Sequence, residues 1–107
     1  MDVTTYRSIL TDIRDHLRRY DERRWSARLD DWLRELDHIH SPDELRSHLQ
    51  RSQKATGGMG SIGDLTICPQ AGHAIANDPA VIAAASKQLW ALVSELYSEA
   101  KQLLSGL

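Results

Sequence analysis

An all-α fold is what this sequence predicts, and three observations carry the prediction. Apolar residues recur every three to four positions through most of the chain. Two helix-start signals punctuate it, "SPDE" at Ser41–Glu44 and "NDP" at Asn77–Pro79. No second apolar run strong enough to pair into a sheet accompanies the one short candidate, "LTIC". The expected architecture is a single domain over residues 1–107 with about four helices. Residues 3–50 are helical, 51–77 form a long glycine-containing loop with a short extended segment, and 79–105 form a long closing helix.

The first helix runs over residues 3–20, where Val3, Tyr6, Ile9, Ile13, Leu17 and Tyr20 make one apolar stripe. Asp2 or Thr4 is its cap. The second runs from about Glu22 to Asp37 with Trp25, Leu29, Trp32, Leu33 and Leu36 on one face, and Asp21 is a cap and bend between the two. Ser41 caps the third helix, Pro42 suits its first position, and Glu44 completes a capping box; Leu45 and Leu49 are its buried residues, and it ends near Gln50. Asp78 and Pro79 open the last helix, whose broad stripe extends from Val81 to Leu104, with Gly106 as its C-terminal cap.

Composition describes an ordinary globular protein: 107 residues, 41% apolar, 26% charged, net charge −2. No run approaches the ~18 apolar residues of a membrane span. Residues 1–20 interleave Arg and Asp, which predicts no secretory leader and a cytoplasmic location. The one cysteine, Cys68, allows no internal disulfide. Charge is unevenly spread. Arg14–Arg28 holds six arginines against three acids, a balance of +3, whereas Asp30–Glu44 holds six acids against Arg34, a balance of −5.

"TGGMGSIGDL", Thr56–Leu65, is the stretch that most invites chemistry. Gly58–Gly63 matches G-x-G-x-x-G in form, but that pattern binds a pyrophosphate only where a strand precedes the glycines and a helix opens from them. Here a helix precedes and an extended run follows. Three uses remain. Gly57, Gly58 and Gly60 with Ser61 can form an anion-binding nest of backbone N–H groups. They can make a sharp structural corner in which Met59 and Ile62 enter the core and Asp64 accepts from the loop's own N–H groups. Or the loop can present Met59 to a partner.

"GGMGSIGDLTIC" resembles the GGMGS-x-x-DL segment of a small, uncharacterised family of bacterial proteins. The resemblance covers about half the chain, and Gly57–Leu65 is its specific part. It implies a bacterial origin and a hallmark loop, and it supplies no catalytic residue. Small proteins of this kind often neighbour toxin genes.

The five histidines show no zinc spacing and are expected to be solvated or capping groups. Cys68 sits in an apolar run before Pro69, which predicts a buried, inert thiol rather than a partner for His73. Asp30 and Asp31 are adjacent on a helix, diverge, and make a poor acid–base pair. The arginines Arg7, Arg14 and Arg18 share a helical stripe that would suit phosphates, but acids interleave them, so nucleic acid is not the expected partner. Trp25 and Trp32 share a core face. Trp90 falls off the main stripe of its helix, which predicts an exposed interface anchor.

The expected function is therefore non-catalytic binding of another protein, with neutralisation of a toxin its sharpest form. The expected contacts are Asp30, Asp31, Glu35, Asp37 and Trp90, with the loop residues Gly57, Gly58, Met59, Gly60, Ser61 and Asp64 beside them. No cofactor and no metal is expected. The alternatives are a small-molecule or phosphate binder using the glycine loop, and a helical nucleic-acid binder using Arg14–Arg28.

Overall fold

A computed structural model describes residues 2–57 and 62–107. Four helices form: α1 at Thr4–Arg19, α2 at Arg23–Asp37, α3 at Pro42–Thr56 and α4 at Pro79–Ser105. Two single-turn 3-10 helices, Ile62–Asp64 and Pro69–Ala71, lie between α3 and α4, and no strand occurs among the described residues. Helix α1 packs against α2 on one side and α4 on the other; α3 packs against α4; α2 and α3 touch only lightly. At 27 residues α4 is roughly 40 Å long and accounts for the long dimension of a 45 × 22 × 21 Å bundle.

The caps behave as their chemistry requires, with one reassignment. Ser41 Oγ accepts the Glu44 N–H at 3.2 Å, and Asp78 Oδ1 accepts the Ala80 N–H at 2.9 Å. Asp2 Oδ1 takes the Thr4 N–H at the start of α1. Glu22, not Asp21, caps α2: its carboxylate accepts the Trp25 N–H at 2.7 Å. Asp21 instead closes α1. It has φ +56°, its N–H bonds to the Arg18 carbonyl, and the Glu22 N–H reaches the Leu17 carbonyl, the paired bonds of a Schellman ending. Asp tolerates this left-handed position but glycine is unstrained there. Asp21→Gly is expected to raise stability by about 0.5 kcal/mol and Asp21→Val to lower it by about 1 kcal/mol or more, read as opposite shifts in thermal midpoint.

The core is continuous through the bundle. Tyr6, Leu10, Ile13 and Leu17 of α1, Leu29 of α2, Leu49 of α3, and Leu89, Leu96 and Ala100 of α4 have no exposed surface. Trp25 is buried and Trp32 packs partly buried against the same cluster.

The expected 51–77 loop is shorter and better anchored than its sequence suggests. Helix α3 continues past Gln50 to Thr56, because nothing before Gly57 breaks it and because Ser52 and Thr56 are buried. The Thr56 hydroxyl donates back to the Ser52 carbonyl at 3.0 Å. Beyond the glycines, Ile62 and Ile67 are fully buried, and the Ile67 N–H donates to Ser86 Oγ on α4 at 3.1 Å. The Ala74 N–H donates to the Tyr20 carbonyl at 2.8 Å, which fastens the segment to the end of α1. Among the described glycines the left-handed one is Gly72, φ +83°, which closes the Pro69–Ala71 turn.

Candidate functional site

The four acids expected to meet a partner are already engaged by arginines of this chain. Asp30 on α2 holds Arg14 at 3.3 Å and Arg18 at 2.5 Å from α1, and Asp37 holds Arg7 at 2.5 Å. Asp31 pairs with Arg34 one turn along. Glu35 faces α3, where Arg51 and His48 bind its carboxylate. Asp30 and Asp37 thus face the arginine stripe of α1 across one seam, whereas Asp31 pairs within α2 and Glu35 pairs with α3. Arg28, though exposed, lies 4.8 Å over the Trp25 ring.

Three histidines are buried, contrary to the solvated or capping role expected of them: His16, His48 and His73. The sequence hides this for His16 and His48, whose ring partners lie far along the chain, whereas His73 bonds locally to Cys68. His48 Nδ1 lies 3.1 Å from Glu35 Oε1, and His48 Nε2 lies 2.9 Å from the Tyr6 hydroxyl. A carboxylate only accepts, so Nδ1 carries the proton and Nε2 accepts the Tyr6 O–H. Tyr6, His48, Glu35 and Arg51 therefore form one directed chain across α1, α3 and α2, and it links α2 and α3, which otherwise touch only lightly. His16 Nε2–H donates to the Ala85 carbonyl at 2.9 Å, and its Nδ1 is buried with no partner among the described residues. His73 Nδ1 accepts the Cys68 N–H at 3.1 Å and holds the turn before α4.

The order Glu35–His48–Tyr6 resembles a carboxylate–imidazole–hydroxyl relay, but the Tyr6 side chain that carries its hydroxyl has no exposed surface. Burial pushes the Tyr6 phenol up to about 12, the opposite of activation. The chain is a fastening between helices, buried at its Tyr6–His48 end and open to solvent at Arg51. Burial also holds His16 and His48 below the ordinary histidine value of 6.5. Because the unfolded chain binds those protons first, the stability they contribute is present above about pH 6.5 and is lost as the pH falls below it. The Arg51 partner, with His48 second, holds Glu35 below its ordinary 4.5, so a further loss follows as the pH falls below 4.5. Urea unfolding from about pH 7.5 down to about pH 4 is expected to show midpoints that fall in these two steps, the first smaller in His48→Gln.

Cys68 is half-buried, more open than the apolar run around it predicts, and His73 meets its backbone N–H rather than its thiol. Among the described residues no group of three or more His, Cys, Asp or Glu side chains is placed to hold a metal ion. No helix among them is long and apolar enough to cross a membrane.

A further feature lies on α4 beside the glycine segment. Trp90 is 45% exposed and Tyr97 43%. They are seven residues apart, on one face. Trp90 is exposed as its place off the apolar stripe predicts, and it is also fixed: its indole N–H donates to the Leu65 carbonyl at 3.0 Å. Thr56, Gly57, Gly63, Trp90 and Tyr97 line one shallow groove, so the two ends of the glycine segment border it. Gly57 has extended backbone and caps α3, its N–H bonding to the Gln53 carbonyl, and Asp64 ends the first 3-10 turn at the surface. Gly58, Met59, Gly60 and Ser61 lie outside the described residues. Tyr97 was not singled out from sequence, though its spacing from Trp90 was the available signal.

Fold and site together define a small all-α domain whose acids are largely paired within the chain and which carries an exposed aromatic face on its last helix. The family model described as a domain of unknown function (DUF6966) matches residues 18–76, more than half of the chain, and the chain belongs to that family. The matched region spans α2, α3 and the glycine segment and stops before α4. No curated protein matches, and no solved structure matches.

Proposed function

We propose that this protein works by binding another protein, without chemistry of its own, and that the contact face is the Trp90–Tyr97 side of α4 with the rim of the glycine segment. The observation that carries this is Trp90 itself. A large aromatic ring nearly half exposed, yet pinned by its N–H to Leu65, offers apolar area at little ordering cost on association. The acids Asp30, Asp31 and Asp37 support the reading less directly, since a partner there would first have to displace arginines. In the narrower form of the proposal the partner is a toxin, and the α4 face covers its working surface.

The test is affinity capture from a lysate of cells that make the protein, with wild type and Tyr97→Ala in parallel. Circular dichroism checks that the variant keeps its helices. One protein held by wild type and weakened about thirtyfold or more by Tyr97→Ala is the expected result, the size of an interface hot spot. Equal capture by both would remove α4 from the interface.

A further inference from the structure

We infer that the α4 face is built for an acidic partner segment, an inference that rests on the protein-binding reading and names the chemistry of its ligand. All ten arginines lie within the first 51 residues, and all three lysines, Lys54, Lys87 and Lys101, lie beyond them. The two cations are used differently. Arg7, Arg14, Arg18, Arg23, Arg34, Arg46 and Arg51 all hold carboxylates of this chain. None of the three lysines has an ion pair with a described residue, and all three are exposed.

Their placement makes this more than leftover charge. Lys87, Trp90, Ser94, Tyr97 and Lys101 step along α4 at intervals of three, four, three and four residues, which puts them in one line on the helix. The acids of α4, Glu95 and Glu99, step off that line onto the opposite flank. From α3, Lys54 joins Gln50, Gln53 and Gly57 in a depression whose other wall is Tyr97. The result is a pair of aromatic rings framed by three uncompensated ammonium groups. The rings supply apolar contact; the lysines select carboxylates and repel basic segments. The acids of α2 in a second copy would meet the face poorly, because they already hold arginines.

The test is fluorescence anisotropy of a short labelled peptide in which Glu and Asp flank two leucines. Its comparison probes are the same peptide with Lys at the acidic positions and a single-stranded oligo(dT) of matched length. The proteins are wild type, Lys54→Gln/Lys87→Gln/Lys101→Gln, and Arg19→Gln/Arg24→Gln as a control for general charge. The expected result is that wild type and the arginine variant bind the acidic peptide alike. The lysine variant binds it about tenfold more weakly, each exposed contact contributing a few-fold, and added salt erodes the difference. The inference is overturned if acidic and basic peptides bind equally, if neither binds, or if the lysine variant matches wild type. It is also overturned if oligo(dT) binds more tightly than the acidic peptide, or if light scattering shows wild type self-associating through these lysines. Lysate capture separates this from the broader reading. Capture lost in Tyr97→Ala but kept in the lysine variant retires the acidic partner alone, whereas capture kept in both retires the α4 interface.

Discussion

Replacing Tyr6 with phenylalanine is expected to cost about 1–2 kcal/mol, and with alanine about 3–5 kcal/mol, both read as lower urea midpoints. The two substitutions separate two roles of one side chain. Phenylalanine keeps the ring, which has no exposed surface, and removes only the O–H that His48 Nε2 accepts at 2.9 Å. The imidazole is then left with a buried, unpaired acceptor. Alanine also opens a cavity where α1 meets α3. The companion change Glu35→Ala removes the acceptor from the His48 N–H and from Arg51. Tyr6→Phe and Glu35→Ala share His48, so their costs should fail to add, and a double-mutant cycle would measure the shortfall. A neutral Tyr6→Phe would show that the buried chain contributes nothing to stability and that Tyr6 acts through packing alone.

Ile67→Ala is expected to cost about 2–4 kcal/mol, a core-sized loss from a residue between helices. Ile67 has no exposed surface, and its N–H donates to Ser86 Oγ, itself buried on α4. The segment after the glycines is thereby part of the core. Hydrogen exchange should show the Ile67 amide among the protected ones, with protection lost in Ser86→Ala, which leaves that N–H without its acceptor. A cost below about 0.5 kcal/mol would mean that the segment lies on the bundle without helping to hold it.

Most of the helical framework was legible because its signals are local. The 3.6-residue period of Tyr6, Ile9, Ile13 and Leu17, the Ser41 cap with Pro42, and the Asp78–Pro79 start each act within a few residues of the backbone they organise. The end of α3 was misplaced for the complementary reason. Gln50–Thr56 has weak apolar periodicity, and what keeps it helical is burial of Ser52 and Thr56 under neighbouring elements. Asp21 carries the side chain of a cap, since Asp often is one. Its left-handed backbone, which makes it the end of α1, arises from where the chain must go next.

The candidate site divides the same way. Exposure of Trp90 followed from its position on the helix wheel, and so did the apolar stripe opposite it. That Asp30 and Asp37 meet Arg14, Arg18 and Arg7 did not, because charge counted along the chain says nothing about charge across a helix pair. His48, Glu35 and Tyr6 lie 13 and 42 residues from one another in their bonded pairs, so no spacing rule finds them. The sequence by itself determined an all-α domain, its helix starts and its apolar faces, since these depend on propensity, capping and period. Only the tertiary structure decided which charges are spent internally and which stand free beside Trp90 and Tyr97, since pairing depends on how whole helices dock and not on any residue's neighbours in the chain.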